Sequence, residues 1–217
     1  MSLPVAADLL GVGFLAASGA IAAAERRHDF VTFMFFGGMT GLGGGTLRDL
    51  FIGQPVFWIH TPAYLTVCVA ASGLVWICST RFVPRDALLW ADAVGLAAYA
   101  VVGAEKASAV GLEGAVCVAM GVMTACLGGI LRDVLAGQPS VLLRREIYVT
   151  AAIAAASADV VLNRIGLDRT ACVWISTGLG VVLRGGALLR NWRLPAFAPK
   201  GSAEIDSRSK TDISKVS

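Results

Sequence analysis

Charged side chains are scarce in this sequence, and they are unevenly distributed. Only 15% of the 217 residues are Asp, Glu, Lys or Arg, and 56% are hydrophobic. Soluble domains carry about 25% charged residues and have no nearly uncharged stretches of about 20 residues. The scarcity excludes a water-soluble globule and predicts an all-α polytopic membrane protein.

The residue patterns that most site chemistries need are also lacking. His28 and His60 have no second His at ligand spacing, and the five cysteines form no Cys-x-x-Cys pair, so we expect no metal and no cofactor. No catalytic constellation or phosphate-binding loop is present, and Lys and Arg do not cluster with the stacking aromatics typical of nucleic-acid binding. An enzyme and a nucleic-acid-binding protein are therefore disfavoured. A channel, a secondary transporter and a structural membrane oligomer remain.

Seven segments are long and apolar enough to cross a hydrocarbon core of ~30 Å as helices. Lys and Arg are more numerous in the loops on one side than on the other, and they also fill the tail. Because such loops are retained in the cytoplasm, we expect the N-terminus outside and the C-terminus inside a bacterial inner membrane. The polar tail, 191–217, is predicted to be disordered and cytoplasmic. The predicted spans are 5–24, 30–50, 61–80, 87–105, 113–134, 146–163 and 170–189.

The chain repeats itself at an offset of 84 residues. Residues 37–55 align with 121–139 without gaps and share eleven identities in nineteen positions. Each copy, 5–80 and 87–163, holds three spans, and with an odd number the second copy enters the membrane from the opposite face. The sequence predicts one transmembrane domain, 1–190, built as an inverted repeat of three plus three helices with a seventh helix at 170–189.

Glycines crowd spans two and five at equivalent positions, as a triplet in the first copy and a pair in the second. Consecutive glycines face different directions, and each costs about 1 kcal/mol relative to Ala inside a helix. We therefore expect a kink or break there, with freed backbone carbonyls lining an ion pathway. Close packing of the two helices is the alternative. The candidate pathway residues here are Thr40, Gly43, Gly44, Gly45, Thr124, Gly128 and Gly129.

Charged pairs follow the glycines in both copies. Arg48-Asp49 and Arg132-Asp133 each precede Gly-Gln-Pro, which predicts a helix end with Gly as C-cap and Pro as stop. Two interpretations of these pairs remain open: interfacial pairs that close the helix ends, or pore-mouth charges. Asp92, aligned with Asp8 by the repeat, is an intramembrane acid that we assign to the pathway.

The doubled motif Gly-Gly-x-Leu-Arg-Asp, at 44–49 and 128–133, resembles the prokaryotic trimeric intracellular cation channel family, whose domain has also been labelled a glycine transporter. The resemblance covers roughly residues 5–190. It implies a homotrimer in which each protomer has its own pore, lined by helices one, two, four and five and bent at the glycines. It also implies passage of monovalent cations, mainly potassium. The second copy departs from the first at Leu127, where the first has Gly43.

Architecture alone does not separate a channel from a secondary transporter of glycine or another small solute. Both classes use broken helices and inverted repeats. A transporter would need a polar pocket for its solute, to which Asp92 and a half-helix end would contribute. The family resemblance favours the channel. The expected partners are potassium or sodium ions, membrane lipid and further copies of the chain.

Overall fold

Helices make up nearly all of the chain that the structure describes. The computed structural model describes residues 3–79, 86–143 and 147–193. The predicted disorder of the tail therefore lies outside the described residues from position 194 onward. A short 3-10 turn, Val141–Leu143, precedes the helix Val149–Arg164. The helices are α1 (Leu3–Glu25), α2 (Phe30–Phe51), α3 (Phe57–His60), α4 (Ala63–Ser79), α5 (Ala87–Ala109), α6 (Gly114–Leu135), α7 (Val149–Arg164) and α8 (Arg169–Arg190).

Five of these helices, α1, α2, α5, α6 and α8, are long and apolar enough to cross a membrane. The predicted third and sixth spans correspond to α4, a shorter apolar helix, and α7, which has 16 residues. The all-helical polytopic membrane fold is confirmed. The number of seven crossings stays a prediction, because length and composition select only five.

Helix ends follow the sequence signals closely. Asp29 accepts a hydrogen bond from the backbone N–H of Thr32 at 2.8 Å, which caps the start of α2 and lowers the pKa of this carboxyl. Gly53 and Gly137, after α2 and α6, have φ of 66° and 60°, the left-handed region that glycine adopts without strain. The backbone N–H of Gln54 donates to the Asp49 carbonyl at 2.8 Å, and that of Gln138 donates to the Asp133 carbonyl at 2.9 Å. The predicted glycine caps are confirmed.

Four helices form the centre of the fold. α1 packs against α2 and α5, and α6 packs against the same two helices. α4 covers α1 and α2, whereas α7 covers α5 and α6. The helix α8 packs mainly against α5 and α7, so it adds chiefly to the second copy.

Residues that the 84-residue offset pairs make equivalent contacts between the two copies. A Cβ atom added to Gly11 would lie 2.6 Å from the ring of Tyr99, and one added to Gly95 would lie 2.6 Å from the side chain of Leu15. Leu15 and Tyr99 are themselves offset by 84 residues, as are the two glycines. Such an exchange of partners is what a two-fold relation between the copies would produce.

Candidate functional site

Neither glycine segment interrupts its helix. α2 is continuous through Gly43, Gly44 and Gly45, and α6 is continuous through Gly128 and Gly129. The predicted break is therefore wrong, and so are the freed carbonyls and half-helix ends inferred from it. A bend within a continuous helix stays a prediction.

Close packing accounts for the three consecutive glycines of α2. A Cβ atom added to any of them would lie within 2.6 Å of a neighbouring atom. They do face different directions, but each direction holds a neighbour that needs the space. Packing, the alternative left open by the sequence, explains why glycine is retained despite its low helix propensity. The neighbours are the side chain of Leu131 for Gly43, the carbonyl of Thr124 for Gly44 and the ring of Phe57 for Gly45.

The α2–α6 crossing brings four candidate pathway residues together. A Cβ atom added to Gly44 would lie 2.2 Å from the carbonyl oxygen of Thr124. One added to Gly128 would lie 2.5 Å from the carbonyl oxygen of Thr40. The Thr124 hydroxyl donates to the Met120 carbonyl at 2.6 Å. The Thr40 hydroxyl is buried and has no hydrogen-bond partner among the described residues. The crossing therefore combines close backbone contact with one unsatisfied polar group.

One end of the central four helices holds a buried cluster around Asp92. Nη1 of Arg132 lies 2.6 Å from Oδ1 of Asp92 and donates to the Ser18 hydroxyl at 3.2 Å. Its Nε donates to Oδ1 of Asp133 at 2.9 Å. The side chain of Arg132 is 0% exposed. These four residues are named the Asp92 cluster. In this cluster two carboxylates share one guanidinium, which is buried from water.

The opposite end holds the equivalent residues of the first copy in a different arrangement. Arg48 donates to Asp49 through Nε and Nη2, at 2.8 Å and 2.7 Å. Asp8 does not pair with Arg48 but with Nζ of Lys106, at 2.9 Å, and it accepts a hydrogen bond from the Tyr64 hydroxyl at 2.8 Å. These five residues are named the Asp8 cluster. Lys106, rather than the arginine of the motif, neutralises the acid near the start of α1.

The acid of each motif closes the connection that follows its helix. Oδ2 of Asp49 accepts from the backbone N–H of Phe57 at 2.9 Å. Oδ2 of Asp133 accepts from the backbone N–H of Val141 at 2.7 Å. Both acids are buried, and each ties the end of its helix to the connection that follows. Interfacial pairs and pore-mouth charges both stay predictions. Burial is possible because each carboxylate has an adjacent guanidinium and a backbone donor.

Asp8 and Asp92 each keep one carboxylate oxygen unsatisfied. Oδ1 of Asp8 and Oδ2 of Asp92 are buried and have no hydrogen-bond partner in the described part of the chain. A buried acceptor without a donor costs free energy, so both oxygens favour a cation or water nearby. The two ends of the fold therefore share one chemical property, a buried carboxylate oxygen without a hydrogen-bond donor.

Several residues in or beside these clusters were given no site role by reasoning from the sequence. Tyr64 contacts Asp8, and Tyr148, 84 residues later, lies beside Gly129, so extending the same offset would have found both. Lys106 carries no such signal, because the offset pairs it with Ala22. Arg184 of α8 is also buried and lies over the Tyr148 ring at 5.2 Å.

The fold and its buried ion pairs define a helical membrane protein of the channel and transporter class. A family model described as "Glycine transporter" matches residues 5–80 and, a second time, residues 89–164. Together with the structural similarities below, this match means that the chain belongs to the prokaryotic trimeric intracellular cation channel family, whose domain carries the glycine transporter description.

Relatives and solved structures cover most of the chain. A crystal structure of the trimeric intracellular cation channel orthologue from Rhodobacter sphaeroides is 38% identical, with a TM-score of 0.85, covering 88% of this chain and 100% of that one. A second cation channel structure of the same type is 29% identical, with a TM-score of 0.77 and coverages of 88% and 96%. A Vibrio cholerae membrane protein is 33% identical over 196 residues, covering 88% of this chain and 81% of the relative. The inner membrane protein YadS of Escherichia coli is 40% identical over 149 residues, with coverages of 67% and 72%.

Proposed function

We propose that the chain is a monovalent cation channel that conducts mainly potassium through a pore inside each protomer. The observation that carries this proposal is the similarity to the Rhodobacter sphaeroides cation channel, at 38% identity over the whole of that chain and a TM-score of 0.85. The pore follows the central helices α1, α2, α5 and α6. No part of the proposal depends on unwound helices.

The proposed pathway runs from the Asp8 cluster, past the α2–α6 crossing, to the Asp92 cluster. The unsatisfied oxygens of Asp8 and Asp92 supply negative charge at both ends, which favours cations over anions. Lys106 and Arg132 occupy the carboxylates in this structure, so it corresponds to a closed state. Ions pass when both basic side chains move away from their acids. The Thr40 hydroxyl, which is buried without a hydrogen-bond partner among the described residues, is the oxygen ligand between the ends.

The membrane arrangement extends the same proposal. The chain crosses the inner membrane seven times as an inverted repeat with a seventh helix, N-terminus outside and C-terminus in the cytoplasm, and it assembles as a homotrimer. The exchanged glycine contacts and the doubled family match support the repeat. The trimeric Rhodobacter protein supports the assembly, and the Escherichia coli inner membrane protein supports the location.

Reconstitution of the full chain into a planar bilayer tests the channel directly. We expect unitary potassium currents that reverse at the Nernst potential of potassium. Absence of currents together with saturable glycine uptake driven by an ion gradient would instead establish the alternative, a secondary transporter. A structural membrane protein would show neither activity.

The path through the crossing has its own test. Thr40→Val removes the unpaired hydroxyl with little change of shape, and we expect it to lower unitary conductance about twofold or more, since an oxygen ligand is lost. Thr66→Val, on the exposed side of α4, is the matched control, because that hydroxyl donates only to the Pro62 carbonyl. Equal conductance of the two variants would exclude the crossing from the path while leaving the channel itself in place.

A further inference from the structure

A polar cavity of about 330 Å³ lies where α5 begins and α8 ends. It is separate from both carboxylate clusters. Its lining combines one acid, one base, one amide and two indoles, unlike the apolar groove between α1 and α4. These residues are Asp86, Trp90, Asn191, Trp192 and Arg193.

The acid and the base of this cavity do not neutralise each other. Asp86 occupies the N-cap position of α5, yet its side chain makes no capping hydrogen bond. Among the ion pairs within the described residues, none joins Asp86 to Arg193. Two opposite charges that line one cavity without pairing are complementary to a ligand that carries both signs.

The tryptophans of the cavity restrict the kind of cation that fits. The guanidinium of Arg190 lies 5.6 Å from the ring centroid of Trp192, so one face of that indole is already occupied by a cation. The ring of Trp90 lies against Gly185, where an added Cβ atom would come within 2.9 Å of it. A quaternary ammonium needs free aromatic faces, whereas a primary ammonium needs hydrogen-bond acceptors such as the Asp86 carboxylate.

The position of the cavity identifies the source of the ligand. The start of α5 and the end of α8 mark the same edge of the membrane-spanning helices, where Trp and Arg are typical of the lipid headgroup region. We propose that the cavity binds the headgroup of a phospholipid with a primary ammonium, of the phosphatidylethanolamine type. Arg193 holds the phosphate and Asp86 holds the ammonium. This inference does not rest on the proposed channel activity.

Native mass spectrometry of the full chain in detergent, with an equimolar mixture of phosphatidylethanolamine, phosphatidylglycerol and phosphatidylcholine, tests the site. We expect the unaltered protein to retain phosphatidylethanolamine about threefold more than either competitor, since only its headgroup has a primary ammonium that can donate to the Asp86 carboxylate. Asp86→Asn should abolish that preference. Arg193→Gln should lower retention of all three lipids, because they share the phosphate.

Matched variants and a soluble competitor complete the test. Glu113→Gln replaces an exposed N-cap acid of α6 that also makes no capping hydrogen bond, and Arg27→Gln replaces an exposed arginine outside the cavity. Both should keep the pattern of the unaltered protein. The proposal is overturned if phosphatidylglycerol or phosphatidylcholine is retained equally well, or if Asp86→Asn keeps the preference. Displacement of the lipid by equimolar glycerophosphoethanolamine would also overturn it, because the acyl chains would then contribute nothing.

Discussion

The Asp8 and Asp92 clusters derive from equivalent residues, yet they neutralise their acids differently. In the Asp92 cluster the arginine of the motif, Arg132, reaches Asp92 at 2.6 Å and is 0% exposed. In the Asp8 cluster the equivalent Arg48 stays with Asp49, and Lys106, 32% exposed, binds Asp8 at 2.9 Å. One end of the fold is therefore held by a planar guanidinium that is fully buried. The other is open to water and held by a flexible ammonium.

This difference shows that a repeated motif does not fix a repeated site. The basic residue that pairs with Asp8 or Asp92 differs between the clusters: it is Lys106 in the first and Arg132 in the second. This residue decides how strongly the carboxylate is held and how easily the cation leaves it. We expect the Asp92 cluster to control stability and the Asp8 cluster to control the access of ions.

The largest expected effect comes from removing the motif arginines one at a time. Arg132→Gln leaves Asp92 and Asp133 buried without a cation, and breaking a buried pair in this way costs about 3–5 kcal/mol. Arg48→Gln leaves only Asp49 without its cation, because Lys106 still holds Asp8, so we expect roughly half that loss. The unfolding midpoint in detergent measures both. Equal losses would remove the distinction between the clusters.

Gly44→Ala tests the contact that lies between the two clusters. The added Cβ atom would lie 2.2 Å from the Thr124 carbonyl, so we expect α2 and α6 to separate at a cost of about 1–3 kcal/mol. Gly38→Ala, in the same helix, has no atom within 4 Å and should gain up to about 1 kcal/mol from helix propensity. A stable Gly44→Ala variant would contradict the close crossing.

The two tyrosines of the repeat sharpen the comparison on a smaller scale. The Tyr64 hydroxyl donates to Asp8, and Tyr64→Phe should cost about 1–2 kcal/mol, as expected for a hydrogen bond to a carboxylate. The Tyr148 hydroxyl has no hydrogen-bond partner in the part of the chain that the structure describes. Tyr148→Phe should therefore change the free energy of unfolding very little. A larger loss for Tyr148→Phe would reverse the ranking of the two sites.

The smallest expected effect concerns conductance at the exposed end. Lys106→Gln frees Asp8 to attract cations, and we expect unitary conductance to rise about twofold at ~0.1 M salt. The gain should shrink at ~1 M salt, where charges are screened within about 3 Å. Arg164→Gln, an exposed charge on the same side, is the control and should change conductance less. An increase that persists at high salt would indicate steric rather than electrostatic obstruction.

Much of the fold follows from local signals in the sequence. Apolar runs predicted the helices, and Gly53 and Gly137 predicted where α2 and α6 end, because a left-handed residue after a helix is decided by the chain itself. The continuity of α2 through its glycines was not predictable in this way. It depends on Leu131 and Thr124, residues about 80 positions away that need the space.

The candidate site was likewise predictable from the sequence only in part. The offset identified Asp8 with Asp92 and Arg48 with Arg132, and all four lie in the two clusters. It could not identify their different partners, because the residues that distinguish the ends fall where the copies differ. The offset pairs Ser18 with Val102 and Lys106 with Ala22.

The placement of each motif arginine beside an acid has a consequence for how the chain is inserted during synthesis. An isolated arginine at the centre of a helix costs about 2.5–3.5 kcal/mol when the translocon releases it into lipid. Arg48 and Arg132 carry their own counter-ions one residue away, so α2 and α6 leave as neutral segments before later helices exist. Arg184 has no acidic neighbour in the sequence, and its contacts include the Ile147 carbonyl and the Tyr148 ring. The helix α8 is thus stable only when it docks on α5 and α7.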